Sequence, residues 1–462
     1  MADPLATSPP AAGGSTVVLK RQIGLYAATA ITVGSIIGSG IFRSPHSVAQ
    51  ELSSGTVMLL AWVLGGLLSL CGSLVLAELA VAHPETGGLY VFLRRAFGDR
   101  LGFVFGWASL GVIKPTVIAS IASVFAIYFC DAVGLPASAQ FGAAATAILV
   151  LTVINWLGVR EGTATQTLMT TLKVIGILGL CAAAFLLPHG GPTESGAMTA
   201  APAAAHPLML ALVLAMIPIL FAYDGWTDST YVAGEIVNPR RTMPIAILLG
   251  IAIVVAVYVM TNLAYFAVLS PAEVGRYEAV GSETIRRILG DGGGRALAVL
   301  VSVSTFGTVS ASILTGPRVT LAMAADGLFW KRAAHVSERR GTPDFALWLQ
   351  AALSITWLWF AGGFEDASGW FVTTSWLLYG LTIAAVFVKR RREASGESAL
   401  DPGAYRTPLY PLTPVLFILV TVALIASDLS ASGWRAGAGV AIAALGFPLF
   451  AWMRRGRRGA RA

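Results

Sequence analysis

Long apolar segments separated by short polar ones run through most of the chain. A helix needs about 20 mostly apolar residues to cross the hydrocarbon core of a bilayer. Twelve segments come close to that length, over residues 23–43, 56–81, 101–130, 141–157, 165–187, 207–236, 244–269, 295–324, 345–361, 366–388, 411–431 and 436–453. The pattern therefore predicts an all-α polytopic membrane protein with twelve transmembrane helices.

The first apolar segment is interrupted in its middle by small and polar residues. Between Gly34 and Phe42 it holds three glycines and two serines, and each glycine inside a helix costs about 1 kcal/mol relative to alanine. A broken helix at membrane depth persists only where it lines a polar cavity, because unpaired backbone groups are costly in lipid. The amide groups at the start of the second half-helix would then form an anion site suited to a carboxylate. The alternative is that Gly34 and Gly38 form a GxxxG patch that packs against a neighbouring helix.

The sixth segment is interrupted by Pro218, Asp224 and Gly225. An acid at this depth costs about 2.5–3.5 kcal/mol on insertion scales, so Asp224 is interpreted as functional. Interrupted helices at corresponding places in two halves of a chain indicate the substrate site of an inverted-repeat transporter. The two interruptions together favour broken first and sixth helices over the packing alternative.

Composition and charge agree with a membrane protein. Of the 462 residues, 56% are hydrophobic and only 12% are charged, too few to cover the surface of a soluble protein of this size. Most of the 31 lysines and arginines lie in alternate loops, as the positive-inside rule predicts when both termini are cytoplasmic. The net charge of +7 is therefore explained by the orientation of the chain in the membrane and not by nucleic-acid binding. The expected location is the cell (plasma or inner) membrane. Residues 1–19 are predicted to be a disordered cytoplasmic tail, 20–453 the transporter domain and 454–462 a basic cytoplasmic tail.

Residue types that support other membrane chemistry are missing from the apolar segments. The five histidines lie at segment ends or in loops and the three cysteines have no metal-ligand spacing, so no metal or cofactor is expected. The sequence contains no GxxxxGK[ST] motif, which argues against a P-loop ATP-driven pump. An integral membrane enzyme and a channel stay as alternatives from other classes. Cys130 near an outer segment end is the single hint of an accessory subunit, and nothing else supports one.

A family resemblance rests on short motifs that occur in order along nearly the whole chain. They are Gly38-Ser39-Gly40-Ile41-Phe42, Glu78-Leu-Ala with Pro84-Glu-Thr-Gly87-Gly88-Leu-Tyr90, Lys114-Pro115, Phe221-Ala222-Tyr223-Asp224-Gly225-Trp226, Glu235-Ile-Val-Asn238-Pro239, Thr305-Phe306-Gly307, Arg318 with Asp326-Gly327, and Tyr405-Arg406-Thr407-Pro408-Leu-Tyr410-Pro411. Through this ordered set of motifs, the chain resembles members of the amino acid–polyamine–organocation superfamily. Within that superfamily it resembles the L-type amino acid transporters and their bacterial relatives. The resemblance implies the LeuT-type 5+5 fold, with inverted repeats over about 23–187 and 207–388 and two extra helices over 411–453. It also implies a sodium-independent exchanger of L-amino acids, with a proton-coupled amino acid or amine symporter as the alternative.

The resemblance also assigns substrate-binding roles. The α-carboxylate is expected at the first break and the α-ammonium at exposed carbonyls of the sixth helix. Phe221 matches an aromatic residue that forms a lid, or gate, over the substrate. Asp224 is the single acid within the two interrupted stretches, Gly34–Phe42 and Pro218–Thr227, so mainly neutral substrates are expected. The implied substrate-binding residues are Ile37, Ser39, Gly40, Ile41, Phe221, Ala222, Asp224, Trp226 and Trp376.

Lys173 lies well inside the fifth apolar segment, where an ammonium group needs a specific partner. Snorkelling of its side chain to the membrane interface is the alternative. In the family resemblance, this position matches a lysine that takes the place of a sodium ion. Its ammonium would join the carbonyl near Gly34 to a hydroxyl near Ser304, and its fixed charge would repel sodium. Sodium-independent transport is therefore expected.

Five positions have open roles at this stage. Asp224 stands where animal L-type transporters usually have glycine, Ser310 replaces an asparagine, and Gly234 replaces an acid. Glu78 is either a proton relay or a helix-end acid paired with a loop arginine. Lys114 either lines the pocket or snorkels outward.

Overall fold

The computed structural model describes residues 23–83, 88–157, 162–189, 191, 206–227, 230, 236–337, 342–397, 403–432 and 434–459. Within these ranges, side chains are described except those of 162–172, 432, 434–436 and 455–459. The predicted tail over 1–19 lies outside the described residues, as do Gly234, Glu235 and the last residues of the predicted basic tail.

Almost all of the described chain is helical. Its α-helices are α1 Leu25–Ile36, α2 Gly40–Glu51, α3 Gly55–Ala82, α4 Leu89–Phe97, α5 Asp99–Ala108, α6 Lys114–Val133, α7 Gln140–Trp156, α8 Gly162–Leu186, α9 Leu208–Tyr223, α10 Pro239–Val268, α11 Pro271–Val274, α12 Val280–Thr315, α13 Pro317–Ala325, α14 Asp344–Ala361, α15 Phe364–Ala394, α16 Leu412–Ser432, α17 Trp434–Ala444 and α18 Gly446–Gly459. A π-helical turn, Ser109–Ile113, joins α5 to α6. In these ranges the β contacts amount to one isolated parallel bridge between Ile23 and Ile236.

Eight helical segments of the described chain are long and apolar enough to cross a membrane, and the bent pair of α1 and α2 makes a ninth. Four of the eight join more than one helical element: Asp99–Val133, Ala137–Trp156, Val280–Ala325 and Gly437–Arg454. A helix satisfies its own backbone hydrogen bonds, which is why such segments can lie in lipid. The chain is thus a polytopic membrane protein. Nine of the twelve predicted segments fall on these spans, and the other three, 165–187, 207–236 and 345–361, fall on α8, α9 and α14. The count of twelve spans stays a prediction.

The first predicted segment is broken where its glycines and serines lie. α1 ends at Ile36, α2 begins at Gly40, and the two helices are bent by 44°. Between them Ile37 is extended, and its amide donates the last bond of α1, to the Val33 carbonyl at 2.8 Å. A Cβ atom on Gly38 would lie 3.9 Å from Thr308, an ordinary contact distance. Tight GxxxG packing therefore does not explain this glycine.

The sixth predicted segment is also broken. α9 contains Pro218 and ends at Tyr223, and Asp224 after it is extended. Gly225 has a φ of +113°, a backbone conformation in which other residues are strained. The interruption that the sequence predicts at Asp224 and Gly225 is therefore present.

The two breaks lie directly against each other. A Cβ atom on Gly40 would collide with Ala222, and one on Gly225 would collide with the carbonyl group of Ser35. Backbone atoms take part in both collisions, so turning a side chain would not relieve them. Glycine at these two positions lets the backbones approach closely, and this approach brings both interruptions to one place in the helix bundle.

Candidate functional site

Four buried side chains from other helices pair with carbonyl groups of α1 and α2. The bonds run from Lys173 Nζ to Gly34 at 3.0 Å, from Tyr258 Oη to Ile36 at 2.9 Å, from Tyr265 Oη to Ile41 at 3.3 Å and from Tyr128 Oη to Phe42 at 2.8 Å. The break removes the helical partners of the first two carbonyls. The Ile41 carbonyl also lacks a helical partner, because Pro45, four residues later, has no amide hydrogen. The first three donors therefore satisfy carbonyls that the interrupted helix cannot satisfy by itself.

The start of α2 is the part of the first break that is suited to an anion. The Ser39 hydroxyl does not cap this helix, and the amides at a helix N-terminus carry a partial positive charge. Ser39, Gly40 and Ile41 are all buried. Because Gly40 touches Ala222, an anion bound at these amides would lie beside the second break.

The second break offers acceptors, several of which already have partners. The Ala222 carbonyl lies 2.9 Å from the Tyr258 hydroxyl, and the Phe221 carbonyl accepts a bond from the Asp224 amide at 3.2 Å. Asp224 Oδ1 accepts a bond from the hydroxyl of Tyr379 on α15 at 2.9 Å. A carbonyl oxygen has two lone pairs, so both carbonyls keep one acceptor position for an ammonium group.

Phe221 packs between two aromatic rings of α15. The centroid of its ring lies 5.0 Å from the ring centroid of Phe364 and 5.8 Å from that of Phe371, and its plane is nearly perpendicular to both rings. Such edge-to-face pairs hold a ring in place without any polar contact. The geometry suits a lid that seals by packing.

Trp226 and Trp376 belong to a second aromatic group, which joins the second break to α15 and α16. Their rings lie 6.4 Å apart, and Phe417 lies 5.9 Å from Trp226 and 5.1 Å from Trp376. Tyr379, the partner of Asp224, is 5.3 Å from Trp226. The structure therefore brings Trp226, Trp376 and Asp224, which the sequence analysis names as candidate residues, into one cluster.

Lys173 does not snorkel to the interface. Its side chain is buried, with 3% exposure, and Nζ binds the Gly34 carbonyl. The expected partner on α12 is different: Ser304 is buried, but in the described part of the chain it makes no hydrogen bond with Lys173. The Ser304 carbonyl instead accepts a bond from Thr308 of the same helix. The lysine thus reaches the first break but not the hydroxyl that we expected to complete the link.

Arg43 is a buried charge that the sequence analysis did not identify as a candidate residue. Its side chain is buried, with 1% exposure, and its guanidinium pairs with the carboxylate of Glu365 on α15. The carboxylate of Glu278 lies 3.7 Å from the same guanidinium. Its guanidinium also lies 5.4 Å from the ring of Phe364, which packs on Phe221. The signal that could have identified Arg43 is its position three residues after Gly40, next to the predicted first break.

Glu78 is a paired acid, and this pairing favours the helix-end interpretation over the proton relay. It is bound by Arg390 at 2.8 Å, by Lys389 at 3.2 Å and by the amide and hydroxyl of Thr407, both at 2.7 Å. The arginine lies on α15 and not in a loop, because this helix continues past the predicted end at 388 to Ala394. Lys114 is half-buried at the start of α6.

All of the candidate residues except Asp224, which is partly exposed, are closed off from solvent in this structure. Ile37 is 1% exposed, Phe221 6% and Trp226 0%. Two cavities of about 310 and 280 Å³ lie elsewhere, beside Asp131 and beside His83. A ligand can therefore reach the breaks only after the helices rearrange.

Comparison with known proteins agrees with this geometry. The amino acid permease family model matches residues 23–443. The chain is 32% identical to the serine/threonine exchanger SteT of Bacillus subtilis (strain 168) over 440 residues, which cover 95% of this chain and 98% of that protein. It is 32% identical to the b(0,+)-type amino acid transporter 1 of Mus musculus over 91% of this chain and 85% of that protein. It is 31% identical to the Asc-type amino acid transporter 1 of Mus musculus over 94% of this chain and 81% of that protein. The relatives named above are transporters and not enzymes. The chain therefore belongs to the amino acid permease family of the amino acid–polyamine–organocation superfamily.

Proposed function

We propose that the protein is a sodium-independent secondary transporter that exchanges neutral L-amino acids across the cell membrane by alternating access. The observation that supports this most is the contact between the two breaks, since it sets helix amides beside freed carbonyls. An α-amino acid needs both, as it carries its carboxylate and ammonium on one carbon. Burial of the site supports alternating access, because a permanently open pore would leave these residues exposed.

The architecture that we propose is the twelve-helix 5+5 inverted repeat with both termini cytoplasmic. The first repeat would run from α1 to α8 and the second from α9 to α15, followed by two extra spans in 411–453. The bend between α1 and α2 and the break after α9 support it, since each repeat then begins with a broken helix.

In the proposed complex the carboxylate lies at Ser39, Gly40 and Ile41, beside Ile37. The ammonium lies at acceptors of Phe221, Ala222 and Asp224. Phe221 closes over the substrate, and Trp226 and Trp376 face its side chain. A neutral side chain is supported by the aromatic surroundings and by the bond that Asp224 already makes with Tyr379.

Sodium independence is supported by the buried ammonium of Lys173. It occupies the Gly34 carbonyl, and a second cation close to a buried charge is strongly repelled at low dielectric. Exchange is supported by the exchanger among the relatives. A proton-coupled symporter is the other candidate, and the transport assay separates the two.

The test is uptake of radiolabelled L-serine, L-leucine and L-lysine by the purified protein in liposomes. We expect uptake of the neutral substrates only when the liposomes contain amino acid, unchanged when choline replaces sodium. Protein-free liposomes are the control. Uptake into empty liposomes driven by a pH gradient would select the symporter, and strong L-lysine uptake would assign Asp224 to a cationic side chain.

A further inference from the structure

A cavity of about 280 Å³ lies where three helices end, and none of its lining residues belongs to either break. It is bounded by α3, which ends at Ala82, by α15, which ends at Ala394, and by the short helix α4. Both α3 and α15 are long and apolar enough to cross the membrane. Because the cavity lies near the ends of these two helices, it lies near the membrane surface.

The lining of this cavity has a buried apolar floor and a basic rim. Leu79, Phe92 and Ala385, one from each helix, are at most 2% exposed. Arg95 of α4 and Arg392 of α15 line the same cavity and are exposed. A small inorganic anion needs only the charged part of such a lining, whereas a ligand with an anionic part and an apolar part uses both.

Lys389, a third basic residue of the lining, already has partners. Its Nζ lies 2.7 Å from the carboxylate of Glu393 and 3.2 Å from that of Glu78. The same two acids are bound by Arg406 at 3.3 Å and by Arg390 at 2.8 Å. The three basic side chains outnumber the two acids, so this cluster keeps an excess of positive charge beside the cavity.

Arg392 is fixed at the cavity by the end of α4. Its guanidinium donates to the carbonyl of Arg95 at 2.9 Å and to that of Ala96 at 3.2 Å. A guanidinium has five N–H groups, and among the described residues these bonds use two of them. Of the described residues that line the cavity, Glu397 is the single acid, against Arg95, Arg392 and Lys389. The cavity is therefore positive overall and keeps N–H donors for a ligand.

We propose that this cavity binds the phosphate group of an anionic phospholipid. Basic pockets between membrane helices on the cytoplasmic side are typical sites for such headgroups, and the proposed topology places the cavity on that side. Its volume lies just below the ~300–1,000 Å³ of pockets that bury drug-sized ligands, which suits a phosphate with its glycerol and not a larger anion. The acyl chains would extend from the apolar floor into the bilayer. A lipid bound in this way joins α3, α4 and α15.

The test measures ligand binding to purified, delipidated protein in an uncharged detergent by native mass spectrometry. The probes are dioctanoyl phosphatidylglycerol, dioctanoyl phosphatidylcholine and glycerol 3-phosphate. Phosphatidylglycerol should bind at least about tenfold more tightly than phosphatidylcholine, because the choline group cancels the charge of the phosphate. Glycerol 3-phosphate lacks acyl chains and should also bind more weakly. Equal binding of the two lipids would overturn the anion site, and equal binding of glycerol 3-phosphate would overturn the lipid as its ligand.

Two single substitutions locate the bound lipid. Arg95→Gln removes an arginine of the lining, and Arg391→Gln is the matched control, because Arg391 is exposed on α15 beside Arg392 but does not line the cavity. Both variants lose one positive charge at the same end of the molecule. Arg95→Gln should weaken phosphatidylglycerol binding about fivefold, and Arg391→Gln should not change it. Equal losses in both variants would show attraction to the general surface charge and overturn the proposal.

Both substituted arginines are exposed, so the variants should fold, and size-exclusion chromatography of the purified proteins checks this. Lipid binding is measured without transport. A failed exchange assay on the unmodified protein would therefore refute the proposed function, while the binding of phosphatidylglycerol still decides this proposal.

Discussion

Single residues from other helices stabilise the interrupted first helix at membrane depth. Gly34 and Ile36 lose their helical partners at the break, and each carbonyl gains a buried donor from another helix. An unpaired carbonyl in a dry interior costs about 1–3 kcal/mol. The residues that supply these donors should therefore be sensitive to substitution although they need not contact substrate.

Lys173→Ala should lower amino acid exchange by about tenfold or more, because it leaves the Gly34 carbonyl without its donor. The measurement is exchange in liposomes, normalised to folded protein by size-exclusion chromatography. Lys331→Ala is the control, as Lys331 is exposed. Full activity of Lys173→Ala, or sodium-stimulated uptake by the unmodified protein, would remove the lysine from its proposed role.

Phe221→Ala should cut exchange strongly, about tenfold, because the small side chain no longer packs against Phe364 and Phe371 and cannot seal the site. Expression should be retained. Phe221→Trp should keep binding but slow exchange, because a larger ring must move through the same space. Phe141→Ala removes a ring that is 45% exposed and should have little effect. Near-normal exchange by Phe221→Ala would make it an ordinary packing residue.

At the scale of elements, Glu78 fastens α3 to α15 and to the segment before α16. Its carboxylate is fully buried, while Lys389 and Arg390 are 11% and 15% exposed. Removing one partner of a buried ion pair leaves the other charge uncompensated, and this typically costs about 3–5 kcal/mol. The cluster therefore contributes to stability through the pairing of charges that would be costly if left alone.

Glu78→Gln should accordingly lower the thermal unfolding midpoint of the purified protein by several degrees, measured by intrinsic fluorescence. Substrate affinity of the folded fraction should not change, because none of the partners of Glu78 lies at the breaks. Glu397→Gln, at an exposed position, is the control. A large loss of affinity without a loss of stability would instead favour the proton-relay interpretation.

At the scale of the whole molecule, the candidate site forms where two distant parts of the chain meet. Gly40 and Ala222 come from the proposed first and second repeats, and their backbones touch. Neither break alone could hold both charged groups of an amino acid. Closure of the site from solvent follows from the same contact, together with the link from Arg43 to Glu365 beside Phe364.

An amine that lacks the carboxylate of a carried amino acid should therefore bind more than ~100-fold more weakly, since two charge-assisted hydrogen bonds to the α2 amides are lost. The measurement is competition against radiolabelled substrate in liposomes. The amino acid methyl ester, which keeps the ammonium but not the negative charge, serves as a second probe. Effective competition by either compound would show that the first break does not bind a carboxylate.

Much of the fold was predictable because its causes are local. Segment length and apolar composition determine which parts of the chain can cross lipid, and the glycines near Gly40 and the Pro218–Gly225 stretch determine where two helices break. Lys173 was also identifiable from the sequence, as a charge far inside an apolar segment has to find a partner. These properties do not depend on which helices become neighbours.

Only the tertiary structure decided which groups satisfy each break. Tyr258 and Ile36 are 222 residues apart in the chain, and the spacing of tyrosines along α10 does not say which carbonyl each will meet. The tertiary structure also buried Arg43 against Glu365 and paired Glu78 with an arginine of α15 and not with a loop arginine. Among the described residues it left Lys173 without a hydrogen bond to Ser304. Hydrogen bonds and ion pairs are made over about 3 Å, so they depend on helix positions that hydropathy leaves undetermined.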